Sequence, residues 1–176
     1  MISCSVGTTA LRTSILMQQK LNSTSQKWNT FKVGFGNPAG DYWLINHAIH
    51  NLTQNGGCSL LVQLQSSADN QWYMAQYSIC IVNPESAGYK RHVGGYTGNT
   101  TGALSYHNEM LCITHDRDQD TSEINCASTY LEVNWYLDYS YADMNLGCIN
   151  GTNWIAWYYL PPGYFLFSSR LCRICD

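Results

Sequence analysis

The chain has 176 residues, of which 45% are hydrophobic, and this length is typical of one domain that buries a core of its own. Its 9 basic and 12 acidic side chains give a net charge of −3, and its longest basic run is Lys90-Arg91. This composition argues against a disordered chain and against a nucleic-acid partner. No stretch approaches the ~20 apolar residues of a membrane span, so no membrane insertion is expected.

Two short helices and several strands are predicted along the chain. One helix begins near Ser25 and covers Lys27 to Lys32. A second lies within residues 43–53, where Leu44, Ala48 and either Asn51 or Leu52 share one face. Runs rich in β-branched and aromatic residues predict strands at Ser59–Ser66, Trp72–Val82, Ser105–Thr114 and Gly163–Cys175. The glycines at positions 94, 95 and 98 are predicted to be turn residues around a strand end.

Cysteines and glycosylation sequons together indicate an oxidising, extracellular location. The eight cysteines lie at positions 4, 58, 80, 112, 126, 148, 172 and 175, and the sequons begin at Asn22, Asn51, Asn99 and Asn150. The cysteine spacings make no paired zinc signature. The first twenty residues contain no signal-peptide core, so an export signal would lie upstream of Met1, unless the chain is an incomplete or atypical product.

A short segment concentrates negative charge, with Asp116, Asp118 and Asp120 at alternate positions. A hard cation with oxygen ligands, such as Ca²⁺, would compensate the repulsion. The EF-hand pattern fails, because its required Gly is Thr121 and its required Glu is Ala127. Spacing alone leaves two interpretations: a different Ca²⁺ loop built from two carboxylates and backbone carbonyls, and a solvated acidic turn.

Five segments, in order, resemble successive parts of the fibrinogen C-terminal (fibrinogen-related) domain of ficolins, tachylectins, angiopoietins, tenascins and fibrinogen. They read WNTFKVGFGNPAGDYWLINHAIHNLT, YKRHVGGYTGNTTGALSYHNEM, THDRDQDTSEINCA, NWYLDYSYADMN and NWIAWYYLPPGYFLFSSRLCRI. The resemblance implies one α+β domain over residues 1–176, with a central antiparallel sheet and a loop-rich, calcium-binding C-terminal subdomain. Cys4 matches the second cysteine of the family's first disulfide, which implies that most of the first subdomain is missing.

The resemblance also implies how a calcium ion is held. The side chains of Asp118 and Asp120 and the backbone carbonyls of Ser122 and Ile124 are the implied ligands, with waters completing the shell. Asp116 is then a flanking acid, either held by a nearby donor or solvated.

One departure from the family affects a disulfide next to this loop. The family joins the cysteine of an NCA step, here Cys126, to a cysteine that a histidine follows. Tyr139 and Ser140 stand at those two later positions. Cys148 is the nearest replacement, so a Cys126–Cys148 bridge is predicted.

The resemblance places a ligand pocket beside the calcium site. Its members are Trp135, Asp138, Tyr139, Ser140 and Asn150. Aromatic rings together with amide and carboxylate groups suit a sugar. For Trp135 the alternative is a place in the core.

The remaining candidates are interpreted as structural. Cys80 and Cys112 occupy positions where the family commonly has aromatic residues, and buried thiols are expected there. His107 is expected to be a hydrogen-bonded structural histidine, and the chain has no nucleophile-elbow or cysteine-protease signature. An enzyme is therefore not expected.

The sequence therefore predicts a secreted, calcium-dependent recognition domain of the lectin type that binds glycans or acetylated ligands in innate recognition. The alternative is an extracellular protein-binding module of the matrix or receptor-ligand type, which the replacement of the family's Cys-His step by Tyr139 and Ser140 favours. A homo-oligomer would depend on segments outside this chain.

Overall fold

A computed structural model describes residues 13–20, 26–130, 133–137, 141–144, 148–149, 152–153, 156–160 and 165–175, with backbone only at positions 13, 143, 148, 149, 152, 153 and 156. The helices in these ranges are α1 (Trp28–Val33), α2 (Asn46–Thr53) and α3 (Cys126–Tyr130), with 3₁₀ turns at Glu85–Ala87 and Ala103–Ser105. The strands are β1 (Thr13–Lys20), β2 (Phe35–Gly36), β3 (Tyr42–Trp43), β4 (Cys58–Ser66), β5 (Trp72–Val82), β6 (Arg91–Gly98), β7 (Cys112–Ile113), β8 (Asn134–Trp135), β9 (Ala142–Asp143), β10 (Cys148–Ile149), β11 (Thr152–Asn153), β12 (Ala156–Trp157) and β13 (Leu166–Cys175).

Seven of these strands form one antiparallel sheet in the order β2-β3-β1-β13-β4-β5-β6. Strand β13 lies in its middle, with Cys172 opposite Leu16 of β1 on one side and Leu61 of β4 on the other. Three two-stranded ladders, β7-β8, β9-β12 and β10-β11, lie within the later part of the chain. The α+β class and the central antiparallel sheet predicted from the sequence are confirmed.

The sheet buries apolar side chains on both faces because successive residues of a strand point to opposite sides. Leu60, Val62 and Leu64 of β4 belong to the main core. Leu61, between them, packs in a second cluster with Ile174 of β13. Helix α1 contributes Trp28 and Phe31 to the main core, and α2 contributes Ile49.

Local patterns located β4, β5 and α1 to within one residue, but three predictions need correction. In α2 the buried residues are Asn46, Ile49 and Thr53. The predicted face was Leu44, Ala48 and either Asn51 or Leu52. The hydroxyl of Thr53 accepts the backbone N–H of Val82 at 3.0 Å and so turns the Thr53 side of the helix toward β5.

The segment predicted as a strand over Ser105–Thr114 is mostly turns, and only Cys112–Ile113 is extended. Glu109 has a φ of 64°, which breaks any continuous strand. Conversely, the glycines predicted as turn residues lie inside β6. A Cβ on Gly98 would lie 2.2 Å from the carbonyl oxygen of Met74, so glycine is what lets β6 approach β5 there.

Disulfide Cys58–Cys175 joins β4 to β13 at one end of the sheet, across 117 positions of chain. Cys172 is disulfide-bonded as well. Cys80 and Cys112 are buried thiols, as the sequence predicts. None of the helices in the described residues is long and apolar enough to cross a bilayer.

Candidate calcium and ligand site

Residues 114–126, here called the acidic loop, begin with a tight turn. The backbone N–H groups of Thr114 and Arg117 each donate to the other residue's carbonyl at 3.0 Å. The Arg117 guanidinium lies over the ring of Trp28, 4.0 Å from its centroid. Asp116 Oδ1 accepts the backbone N–H of Trp28 at 2.9 Å and the hydroxyl of Thr114 at 2.7 Å. Asp116 is therefore a flanking acid held by protein donors.

The next two acids are oriented by backbone amides of the acidic loop itself. Asp118 Oδ1 accepts the N–H of Asp120 at 3.3 Å. Asp120 Oδ1 accepts the N–H of Ser122 at 2.8 Å, and its Oδ2 accepts the N–H of Cys126 at 2.9 Å. Asp118 is exposed and Asp120 half-buried, so both carboxylates have access to solvent.

The donors in this loop fit a calcium ion chemically. Carboxylates and backbone carbonyls are the hard oxygen ligands that Ca²⁺ takes. Within the described residues, neither Asp118 nor Asp120 forms an ion pair. The same part of the chain holds no group of three or more His, Cys, Asp or Glu side chains that could bind a metal, so carbonyls and waters would complete the shell.

Cys126 differs from its prediction. It is a buried thiol whose pKa is raised to about 11, first by burial and then by a hydrogen bond to Asp120. The thiol also hydrogen-bonds to Ser122. The structure therefore does not form the predicted Cys126–Cys148 bridge, because the Cys126 side chain is directed at the carboxylate of the acidic loop.

His107 fixes the backbone on both sides of residues 138–140. Its ring is fully buried, with Nδ1 3.2 Å from the backbone N of Leu137 and Nε2 3.2 Å from the backbone N of Tyr141. Burial, and then the charge of Arg91, lower the pKa of His107 to about 3, so the ring is neutral near pH 7. A neutral imidazole accepts at one nitrogen only, and its tautomer decides which N–H is bound.

The acidic loop is tied to the same backbone segment. The hydroxyl of Thr121 donates to the carbonyl of Leu137 at 2.6 Å. Leu137 thus lies against His107 on its N–H side and is bound to the acidic loop on its carbonyl side. Any ion that orders the acidic loop would also act on Leu137.

A group of tyrosines next to His107 was not predicted from the sequence. Its members, here called the tyrosine cluster, are Tyr106, Tyr141, Tyr158 and Tyr159. Ring centroids are 4.1 Å apart for Tyr106–Tyr141, 4.2 Å for Tyr141–Tyr158 and 4.0 Å for Tyr158–Tyr159. Tyr159 is 59% exposed. The aromatic density of the last third of the chain is the signal that could have found it.

Trp135 belongs to the core, so its predicted ligand role is wrong. Its side chain is 4% exposed, stacks on Trp43 with centroids 6.1 Å apart, and donates Nε1–H to the carbonyl of Tyr89 at 2.7 Å. The pairing of β8 with β7 turns this ring inward. This is the alternative that the sequence left open.

The other predicted site residues divide into two groups. Asn51 and Asn99 are exposed, as glycosylation requires. Outside the described residues lie Asp138, Tyr139, Ser140, Asn22 and Asn150.

One large antiparallel sheet followed by three two-stranded ladders is the architecture of a fibrinogen-like domain. The family model for the C-terminal globular domain of fibrinogen beta and gamma chains matches residues 3–163, and the chain belongs to this family. Members of the family are non-enzymatic binding modules, in agreement with the prediction that this chain is not an enzyme.

Three similar proteins illustrate the relationship. Protein scabrous of Drosophila melanogaster is 32% identical over 130 residues, which cover 74% of this chain and 16% of that protein. Fibrinogen-like protein A of Apostichopus parvimensis is 32% identical over 158 residues, covering 83% of this chain and 54% of that protein. The fibrinogen-like globe domain of human ANGPTL2 has a TM-score of 0.84 at 29% identity, covering 93% of this chain and 80% of that one. The chain thus spans at most 54% of these two curated relatives.

Proposed function

We propose that this chain is an extracellular recognition domain whose ligand binds at residues 137–141 and the tyrosine cluster, beside a calcium ion in the acidic loop. Disulfide Cys58–Cys175 and the exposed sequon residues Asn51 and Asn99 support the extracellular location. Family membership supports a binding role.

One observation carries the proposal: Leu137 and Tyr141 both lie against the buried ring of His107, and Leu137 also bonds to the acidic loop. Nδ1 and Nε2 of His107 are each 3.2 Å from a backbone N, of Leu137 and of Tyr141 respectively, and the unprotonated nitrogen accepts that N–H, while the hydroxyl of Thr121 donates to the carbonyl of Leu137. Contacts with a buried ring limit the motion of Leu137 and Tyr141, which lowers the ordering cost of binding there.

Calcium would act on this surface through the acidic loop. Asp118 and Asp120 would supply carboxylate oxygens, and Ser122 and Ile124 backbone carbonyls. Bound calcium neutralises the two carboxylates and so favours the ordered form of the loop that contacts Leu137. Ligand binding is therefore expected to depend on calcium.

Glycans, including acetylated ones, are the proposed ligands. Tyrosine rings pack against sugar faces while their hydroxyls serve polar groups. A protein ligand is the second candidate. It is favoured by Tyr139 and Ser140 at the family's Cys-His step.

A glycan array that includes acetylated and unmodified sugars, probed with Ca²⁺ and with EDTA, tests the proposal. Glycan signals that EDTA removes and Tyr159→Ala lowers would support it. Trp72→Ala, which removes an exposed aromatic residue outside the tyrosine cluster, is the control and should bind like the wild type.

Binding to receptor ectodomains and not to glycans, with the same sensitivity to Tyr159→Ala, would select the second candidate. If neither EDTA nor Tyr159→Ala changes ligand binding, the proposed surface is wrong.

A further inference from the structure

A cavity inside the main core has one charged residue in its wall. Its lining includes the apolar side chains of Trp43, Ile49 and Leu60, the thiol of Cys80, and Arg91. The centre of a water-sized molecule has about 20 Å³ in which to move there. One water needs about 10–15 Å³ on this measure, so the cavity has room for one small ion or about one or two waters.

Arg91 is a buried cation with incomplete compensation. Its side chain is on β6 and the residue is only 2% exposed. Nη2 donates to the carbonyl of His107 at 3.4 Å, and the guanidinium carbon lies 4.7 Å from the ring centroid of Trp135. Nε and Nη1 are buried and have no hydrogen-bond partner among the described residues.

Among the described residues, the titratable neighbours of Arg91 carry no negative charge at neutral pH. Burial lowers the pKa of Arg91 to about 10, so the guanidinium is still protonated at neutral pH. Burial also raises the pKa of Cys80 to about 11, of Cys112 to about 12 and of Tyr77 to about 12. All three are therefore neutral at the same pH. A buried charge without a counter-charge is strongly destabilising.

We propose that this cavity binds one monovalent anion of chloride size, held by the Nε–H and Nη1–H groups of Arg91. The two unpartnered donors would receive an acceptor, and the buried cation a counter-charge. The apolar part of the wall and the limited space exclude carboxylates, phosphate and sulfate. The cavity lies apart from the proposed ligand surface, but Arg91 links the two through its hydrogen bond to the carbonyl of His107.

A second, smaller cavity lies beside the first. The two cavities share Met17, Leu60 and Cys80 in their walls, and the wall of the second includes the exposed Gly56. Arg173 lies in that wall as well, with a buried Nε that has no hydrogen-bond partner among the described residues. The proposal therefore predicts that an anion enters from this side, where a second guanidinium group would attract it.

Thermal melts in sodium chloride and in sodium gluconate at equal ionic strength test the proposal, because gluconate is too large for the cavity. Chloride should stabilise the wild type, raising the folded-to-unfolded ratio about tenfold when its concentration is about tenfold above the dissociation constant. Arg91→Leu should abolish the difference between the two salts.

Arg170→Leu is the matched control. It removes a guanidinium that lies 5.0 Å from the ring centroid of Trp72, on the outside of the cavity, and should keep the chloride effect. Cys80→Phe fills the cavity while leaving Arg91 in place, and should also abolish the effect.

Anomalous diffraction from wild-type crystals soaked in bromide gives a readout that needs no variant. The expected result is a bromide peak within hydrogen-bond distance of Arg91. Equal wild-type melts in both salts together with no bromide peak, the result if water fills the cavity, would overturn the proposal. So would a chloride effect that survives Arg91→Leu.

Discussion

The carboxylate of Asp116 accepts the backbone N–H of Trp28, the first residue of α1, at 2.9 Å across 88 positions of chain. This bond satisfies one of the orphan donors at the start of the helix. It also separates Asp116 from Asp118 and Asp120, whose hydrogen-bond partners among the described residues belong to the acidic loop: backbone amides for both acids, and the Cys126 thiol for Asp120. Three acids at equal spacing thus have two different sets of partners.

The calcium proposal predicts a variant pattern that follows this division. Wild-type protein should melt at a higher temperature in Ca²⁺ than in EDTA, because an ion that binds only the folded state stabilises it by ~2.7 kcal/mol at a hundredfold excess over its dissociation constant. Asp118→Ala or Asp120→Ala should remove this difference. Differential scanning calorimetry measures it.

Asp116→Ala is the matched control in the same loop. It should lower the free energy of unfolding by about 1 kcal/mol, as for a lost helix cap, and therefore lower the melting temperature in both conditions. The difference between Ca²⁺ and EDTA should remain. Identical wild-type melts in Ca²⁺ and EDTA would contradict the calcium site.

Asp116 should also make the fold sensitive to acid. Burial acts to raise the pKa of Asp116, but the hydrogen bonds from Trp28 and Thr114 outweigh it, and the pKa is lowered below its ordinary 3.8. The stabilising contribution is therefore present above that value and lost as the pH falls through the lower, folded-state pKa.

In melts from about pH 5 to about pH 2.5, the melting temperature of the wild type should fall more than that of Asp116→Asn, because the asparagine does not titrate. Glu123→Gln removes an exposed acid of the same loop and should follow the wild type. Parallel curves for the wild type and Asp116→Asn would contradict the assigned role.

His107 predicts a second pH dependence, at higher pH. Its pKa falls from 6.5 to about 3 on folding, first through burial and then through the charge of Arg91. Between these values only the unfolded chain binds the proton, so stability decreases as the pH falls below 6.5. The slope for one proton is about 1.4 kcal/mol per pH unit.

Urea unfolding at a series of pH values checks this slope against His107→Gln. That variant should be less stable near pH 7, because a buried ring is lost. Its free energy of unfolding should also change less with pH than that of the wild type, by about the stated slope. Its binding to any ligand should also weaken, since the 137–141 segment loses an anchor. Equal slopes for the two proteins would count against a neutral, buried His107.

The Cys58–Cys175 disulfide should contribute on the order of 4–5 kcal/mol, because it closes a loop of more than a hundred residues in the unfolded chain. Cys58→Ala and Cys175→Ala each break the same bond, so the double variant should be no less stable than either single variant. Additive losses would show that the two cysteines act separately.

Peptide mapping without reduction should also recover Cys126 as a thiol.

Local sequence was sufficient for elements with a strong pattern of their own. Strands β4 and β5 follow from runs rich in β-branched, aromatic and apolar residues that turn residues bound. Strand β1 was missed, because its strand character depends on pairing with β13 about 150 positions away. The Cys58–Cys175 pairing could not be predicted from the sequence either, because eight cysteines allow 105 connectivities.

The candidate site shows the same division. The acidic loop could be found because its acids are close in sequence and match a family pattern. The Trp28 partner of Asp116 could not, because the two residues come from distant segments that only the fold brings together. For the tyrosine cluster, the aromatic density of the last third was a signal, but the contact of Tyr106 with Tyr141 again depends on the fold. Trp135 was ambiguous, since a tryptophan suits a sugar site and a core equally well until its burial is known.

Strand β13 follows every other described element along the chain yet lies in the middle of the sheet. During synthesis, β1 and β4 therefore leave the ribosome with no partner for the edges that they will later share with β13. Nearly the whole domain must emerge before the sheet can close, and until then those edges can pair with strands of other chains. Production of this domain should accordingly depend on chaperones that delay association until translation of β13 is complete.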